Sequence, residues 1–290
     1  MRLSPATLAG CGAIALWSTL GLLSRAAAAI PPLQLTAMAF AVSAVLGLAL
    51  LALRGELGVL HQRPVVWLHG IFGLFGFHAL YFAALAWAPP AEANLINYLW
   101  PLLMVVLAPV LLKNMQLRPV HLGAGLLGFG GAALAILGAA GGVAAAPAPG
   151  GTGTVAGYLA ALAAAFMWAS YSLLTQRVAA FPTAAIGLFA LVSGALSLLC
   201  HWALEAPTSL SLRDGLLLAL MGLGPLGGAF FLWDKALKLG DARQIGILSY
   251  LTPLGSTALL IVVTDRQWSW SIALAAGMIM AAAVLGTRAR

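Results

Sequence analysis

Charge is what this chain has least of. Of 290 residues only 7% are Asp, Glu, Lys or Arg, against 62% hydrophobic, with a mean hydropathy of +1.03. So few charged side chains cannot cover a water-soluble surface, which excludes an ordinary soluble domain. There are seven acids, and none falls in the middle of an apolar run. Two cysteines, Cys11 and Cys200, lie inside apolar runs, so no disulfide framework is indicated and the compartment cannot be read from them. HExxH, GxSxG and GxxxxGK[ST] are missing, as is any pair of carboxylates inside a run. A membrane-embedded enzyme would lack its chemistry, and no cofactor or metal is implied.

What the chain does have is ten uncharged runs, approximately Ala6 to Ser24, Pro32 to Leu53, Val65 to Trp87, Ala93 to Leu112, Pro119 to Gly138, Val155 to Gln176, Thr183 to Leu204, Gly215 to Trp233, Gln244 to Thr264 and Trp268 to Thr287. About 20 residues at ~1.5 Å rise cross a hydrocarbon core of about 30 Å. Lipid leaves no other partner for the backbone, so the runs are predicted to be helices; the weak alternation of a membrane barrel is missing. The small residues Ala26 to Ala28 could instead end a cleavable signal peptide, but cleavage would leave nine spans and destroy the symmetry described below.

Basic residues orient the spans. With the N-terminus inside, Arg2, Arg54, Arg63, Lys113, Arg118, Arg177, Lys235, Lys238, Arg243, Arg288 and Arg290 are cytoplasmic, and only Arg25, Arg213 and Arg266 are outside. Eleven of the 14 Lys and Arg on one side predicts both termini in the cytoplasm and explains the net charge of +7 as topology and contact with lipid headgroups. The basic residues are scattered singly, so nucleic acid is not an expected partner.

Residues 139–154 form an uncharged Gly/Ala/Pro-rich connector between 1–138 and 155–290. The two halves repeat. WSTLGLLSRAAAAIP from Trp17 matches WASYSLLTQRVAAFP from Trp168, and LINYLWPL matches ILSYLTPL, pairing Tyr98 with Tyr250 and Pro101 with Pro253. The offsets are 151 and 152 residues. Five spans per half is an odd number, so the second half is expected to be inserted upside down, as in secondary transporters built from inverted repeats.

This duplication, with a Trp in the first helix of each half and Tyr-Leu-x-Pro in the fourth, resembles the EamA branch of the drug/metabolite transporter superfamily across essentially the whole chain. LWSTLGLLSR and NYLWPLLM make it similar, within that branch, to the YddG-type aromatic amino acid exporters of bacterial inner membranes. The resemblance implies an all-α integral membrane protein: helices one to four and six to nine form a basket around a central cavity, with five and ten at the side.

Helical spacing nominates the lining. On the fourth helix Asn94, Asn97, Tyr98 and Pro101 share an arc, with Trp100 and Met104 on its flank. Polar side chains in a span turn away from lipid, toward a cavity or toward neighbouring helices, and the sequence leaves both readings open. Tyr250 follows from Tyr98 by the repeat. The third helix places His78, Tyr81 and Phe82 on one face, His78 being either a functional group or a neutral ring bonded to a neighbour. Gly70, Gly73 and Gly76 on that helix predict close packing. Trp17 and Trp168 are mid-span, with Tyr171 and Ser172 on the face of the latter, whereas Trp67, Trp87, Trp202, Trp268 and Trp270 read as interface anchors. Phe230, Phe231 and Trp233 are weaker candidates. His69 and His121, near span ends, carry little signal. Pro101 and Pro253 would be paired hinges or static kinks.

No acid is placed mid-span, Asp234 and Asp241 being read as flanking the inner end of the eighth helix. That argues for a facilitator of neutral amphipathic solutes, aromatic amino acids first and Thr or Met tolerated; the alternative is a proton-coupled exporter of drugs or other metabolites. A monomer suffices for such a path, although the spacings Ala124, Gly128, Ala132 and Ala273, Gly277, Ala281 could serve internal packing or dimer contact.

Overall fold

The computed structural model describes residues 4–140, 152–264 and 270–288, apart from 114, 179 and 207. Arg266, Trp268 and most of the connector lie outside the described residues. All regular structure among the described residues is helical. Among the described residues nine helices are long and apolar enough to cross a membrane: α1 Pro5–Ala26, α2 Pro32–Arg54, α3 Pro64–Trp87, α4 Pro90–Leu111, α5 with its apolar stretch Pro119–Leu137, α6 Thr152–Leu174, α7 Ala185–Leu204, α8 Leu212–Leu239 and α9 Ala242–Val263. A further apolar helix, α10, covers Trp270–Arg288. Leu53, Val110, Leu159 and Trp270 stand on the outer surface, as suits a protein solvated by lipid chains.

The helices start by two devices. Pro5, Pro32, Pro64 and Pro90 each open a helix, where a missing N–H costs nothing and φ is already helical. Side chains also cap: Ser4 accepts from the Thr7 N–H at the start of α1, Ser211 and Asp214 form a reciprocal capping box on α8, and Asp241 caps α9. Gly55, at φ 68°, closes α2 in the left-handed conformation that an L side chain resists.

Lipid offers no hydrophobic gain for joining helices, so close packing of small residues must supply it. In α3 a Cβ on Gly73 would sit 2.1 Å from the Tyr171 ring and one on Gly76 2.7 Å from Met167, while Gly157 abuts Ala88. These three contacts make α3 and α6 antiparallel, and they meet the expectation for Gly73 and Gly76. α1 and α8 pair likewise through Gly240 against Ala6, Gly12 against Leu232 and Gly228 against Leu16. α2 and α7 cross where Gly47 meets Gly187 and Gly194 meets Phe40, again antiparallel.

The repeat offset converts one set of contacts into another. Adding 152 to Gly76 and subtracting 151 from Met167 gives Gly228 and Leu16, which touch; the same two shifts applied to Ala88 and Gly157 give Gly240 and Ala6, which also touch. Single π-helical turns, where one extra residue enters the helix, occur at Phe72–Gly76 in α3 and at Gly224–Gly228 in α8, 152 residues apart. α4 is interrupted at Tyr98–Leu99 and α9 at Ser249–Tyr250, each just ahead of the proline that deprives the preceding turn of a donor. There the bonding tightens to three-residue turns, Leu99 N donating to Ile96 O at 3.0 Å and Tyr250 N to Ile247 O at 3.2 Å. The break in α1 at Thr19 is not anticipated by any proline and has no counterpart in the continuous α6.

The two small-residue spacings separate. Ala124 and Ala132 are buried and Gly128 lies against Tyr250, so that stripe packs inward. Ala273, Gly277 and Ala281 face outward.

Candidate functional site

Four tryptophans from four helices converge in the middle of the protein. Trp168 of α6 meets Trp17 of α1 at 5.8 Å between ring centroids, Trp100 of α4 at 6.4 Å and Trp233 of α8 at 6.4 Å. Trp233 in turn reaches Trp17 at 5.1 Å and Trp100 at 5.5 Å. Most of these pairs are edge-on or tilted, which sets the positive rim of one ring against the negative face of another. Two indole N–H groups have partners: Trp17 Nε1 donates to the Pro225 carbonyl in the π turn of α8, and Trp233 Nε1 donates to Ser172 Oγ, both at 3.1 Å.

His78 sits beside this group, ringed by Phe40 at 5.1 Å, Phe77 at 5.0 Å, Phe82 at 5.9 Å and Phe230 at 6.0 Å. Its Nδ1 lies 2.6 Å from the Leu74 carbonyl one turn back, and a carbonyl can only accept, so Nδ1 carries the proton. The second ring nitrogen is thereby left as the one that can exchange a proton or bond a solute. Tyr81 lies a turn further on, stacked on Phe77 and donating from its hydroxyl to Asn94 Oδ1 at 2.8 Å.

Of the residues nominated from sequence, Trp17, His78, Tyr81, Trp100, Trp168 and Tyr171 share this connected set of rings. The expected central cavity is occupied: Trp100, Trp168, Trp233 and Tyr171 are buried against one another, while Trp17, Phe77 and Tyr81 are half-buried. Large rings reaching in from opposing helices fill the space that helix positions alone would leave open. Asn97 is buried, its side-chain oxygen meeting no donor among the described residues, and Tyr98 is half-buried. Tyr250 is elsewhere. It is 0% exposed and packs with Ala132 and Ile279 and against Gly128, on the side facing α5 and α10.

Sequence reasoning undervalued Phe230 and Trp233 and did not nominate Phe77 or Phe40. A signal existed: adding 152 to His78 and Tyr81 gives Phe230 and Trp233. His69 is also more than a residue near a span end, since it stacks on Tyr171 at 4.6 Å and bonds Thr175 Oγ1 at 3.1 Å.

One placement is corrected. Asp234 does not lie in the flank of α8, because the helix runs on past Trp233 to Leu239. Asp234 is 1% exposed, with Lys238 Nζ 2.8 Å from its Oδ2. That i,i+4 pairing keeps two charged side chains in a helix that hydropathy alone ends at Trp233.

Outside the ring cluster, a groove of about 510 Å³ lined by Phe72, Leu103, Leu162 and Phe166, among others, is apolar and opens toward lipid.

The sequence pattern of the EamA-like transporter family matches residues 4–137 and again 155–288. The chain is 43% identical to the aromatic amino acid exporter YddG of Ancylobacter novellus, over 99% of this chain and 98% of that one. It is 28% identical to the exporter of the same name from Salmonella typhimurium, over 98% and 97%. A crystal structure of a protein 41% identical in sequence superposes with a TM-score of 0.90, covering 99% of each chain.

Proposed function

The chain belongs to the EamA-like transporter family and is a multi-pass membrane protein, and from that premise we propose that it exports aromatic amino acids such as Trp and Phe across the bacterial inner membrane. The observation that carries the reading is the convergence of Trp17, Trp100, Trp168 and Trp233 beside His78, with no charged side chain among them. Such a site offers a flat aromatic solute ring faces and edges, and its ammonium group a π surface. Without a fixed counter-charge the solute is held by many weak contacts, so Thr and Met are tolerated at lower affinity. The identity to exporters named for aromatic amino acids supports the same substrate class.

Alternating access between two inverted five-helix repeats is the mechanism we infer. The contact pairs that the repeat offset exchanges support it, as do the antiparallel α2 and α7. Pro101 and Pro253, each preceded by a break in its helix, are proposed as the bending points. The basic-residue bias supports an orientation with both termini in the cytoplasm.

Facilitated diffusion is the driving mode we favour, because Asp234 is neutralised by Lys238 and stands outside the ring cluster. His78, an imidazole beside the tryptophans with one ring nitrogen free to exchange a proton, keeps proton coupling as a second reading. Purified protein in proteoliposomes tests both. Counterflow of labelled tryptophan should persist when an ionophore collapses the pH gradient, and excess phenylalanine should compete with it. Flux that vanishes with the gradient moves the assignment to the proton-coupled alternative, and flux of cationic dyes in place of amino acids removes the substrate class.

A further inference from the structure

Asp234 and Lys238 serve no purpose in the ring cluster, yet they are the charged pair buried deepest in α8. Lys238 Nζ makes three contacts at once. It lies 2.8 Å from Asp234 Oδ2, donates to the Phe181 carbonyl at 2.8 Å and stands 3.8 Å above the Phe181 ring. Thr183 Oγ1 donates to the same carboxylate oxygen. Phe181 and Thr183 belong to the segment joining α6 to α7, so one lysine and one aspartate of α8 fasten that segment down. The Phe181 ring is thereby held against Phe189 at 5.4 Å and His69 at 6.0 Å. From there the rings run on to the tryptophans, His69 stacking on Tyr171 at 4.6 Å and Tyr171 meeting Trp168 at 5.2 Å.

The positions that the repeat makes equivalent carry no such pair, although the other end has a tie of its own, Glu205 lying 2.9 Å from His201 and accepting from the backbone N–H groups of Leu33 and Gln34. Subtracting 152 from Asp234 and Lys238 gives Phe82 and Ala86, which cannot form an ion pair. The exposure of the rings differs in the same sense. Tyr171 and Trp233, toward the α6–α7 segment, are buried, whereas Trp17, Phe77 and Tyr81, on the opposite side, are half-buried. Further ties reinforce the fastened end: Gln176 Nε2 donates to the Leu237 carbonyl and Arg177 to the Leu111 carbonyl.

We propose that Asp234, Lys238 and Thr183 form a one-sided latch that pins Phe181 as a plug over the α6–α7 end of the path, and that this latch must break for that end to open. Asp234 is buried and Lys238 half-buried, so the carboxylate loses hydration when the latch closes and regains it when it opens, which makes the closed and open arrangements two discrete states. The inference rests on the alternating-access reading, and its test is independent of the substrate.

The test is thiol accessibility in the full-length protein in detergent, with Cys11 and Cys200 replaced by Ser and a single reporter, Thr175→Cys, behind Phe181. Thr175 is 5% exposed, so a membrane-impermeant maleimide should react slowly with the latched protein. Lys238→Met should speed labelling by about tenfold, because it leaves the buried Asp234 carboxylate without its counter-charge and Phe181 without its tether. Asp234→Asn should raise it less, since Lys238 keeps its hold on Phe181, and Lys238→Arg should label within about twofold of the parent because the charge and donors remain. Unchanged labelling in Lys238→Met overturns the latch. If that variant does not yield monodisperse protein, Thr183→Val, which removes one hydroxyl, should still give about a threefold rise, and no rise overturns the proposal equally. Labelling as expected in a protein that moves no aromatic amino acid would discard the export reading and leave the latch standing.

Discussion

Helices α3 and α8 occupy equivalent places in the two halves, each with a π turn followed by the residues that enter the ring cluster. In α3 those residues are His78 and Tyr81; in α8 they are Phe230 and Trp233, and His78 and Phe230 meet at 6.0 Å as Trp17 and Trp168 do at 5.8 Å. Both pairs are repeat mates in contact with each other, so the relation between the halves passes through the middle of the cluster. One step further along the two helices diverge. α3 goes on to Phe82 and half-buried, polar surroundings, with Tyr81 bonded to Asn94, and α8 goes on to the buried Asp234. Duplication set the scaffold; substitution made its two ends unequal. The same holds for α4 and α9, where Tyr98 and Tyr250 share a sequence position but only Tyr250 is sealed in, and where Trp100 joins the cluster opposite a Thr252 that does not.

Unequal mates should have unequal costs, most of all at the centre. Trp168 touches six other rings and is 3% exposed, so Trp168→Ala should cost about 3–5 kcal/mol and abolish tryptophan counterflow. Its half-buried mate Trp17, replaced by Ala, should lose noticeably less, read as a smaller fall in the melting temperature in detergent. Equal falls would mean that the halves are energetically symmetric after all. Next in size comes the tyrosine pair. Tyr250→Ala empties a core site and should cost about 3 kcal/mol or more, with flux falling only as folded protein is lost. Tyr98→Ala should cost about 1 kcal/mol, as expected for a half-buried ring, and should lower flux per folded molecule. The reverse pattern would place Tyr250, not Tyr98, on the path.

How far these differences could be read from the sequence depends on the physics involved. Span lengths and glycine packing are local or periodic properties, so the long apolar runs and Gly73 and Gly76 disclosed their roles directly, whereas the proline starts at Pro5, Pro64 and Pro90 fell just outside the runs. The mid-span tryptophans Trp17 and Trp168 were legible because an indole N–H in a membrane needs a partner. The repeat pairs Tyr250 with Tyr98 but transmits backbone position and not neighbours: Gly128 leaves room for the Tyr250 ring beside α5, away from the tryptophans. Asp234 was misplaced for a related reason. Hydropathy counts a charge as a boundary, and only the partner a turn later, with Thr183 arriving from another element, shows that the charge can be kept inside.

Smaller effects should sharpen the contrast along α3. Tyr81→Phe removes only the hydroxyl that donates to Asn94 and should cost about 1 kcal/mol, seen as a severalfold rise in KM for tryptophan at unchanged melting temperature. The corresponding loss at Trp233, whose N–H is buried with Ser172, should appear in stability instead: Ser172→Ala leaves that donor unpaired and lowers the melting temperature.

The smallest effect expected belongs to the cap of α9, which starts on a carboxylate where its repeat mate α4 starts on Pro90. Burial alone would raise the Asp241 carboxyl, but hydrogen bonds from the Arg243 guanidinium, its charge, and the backbone N–H groups of Arg243 and Gln244 outweigh this and hold it below the usual carboxylate range. A group depressed on folding stabilises the folded state above its unfolded pKa, and that contribution disappears as pH falls through the lower, folded value. Stability should therefore be flat at neutral pH and decline below about pH 4, while Asp241→Asn should lack this component of the decline and start from a stability lower by about 1 kcal/mol or less. Melting curves of the two proteins from pH 7 to pH 3 measure the difference. Curves that stay parallel throughout would show that α9 draws nothing from its carboxylate cap, and that the proline starts and the side-chain caps are interchangeable in the two halves.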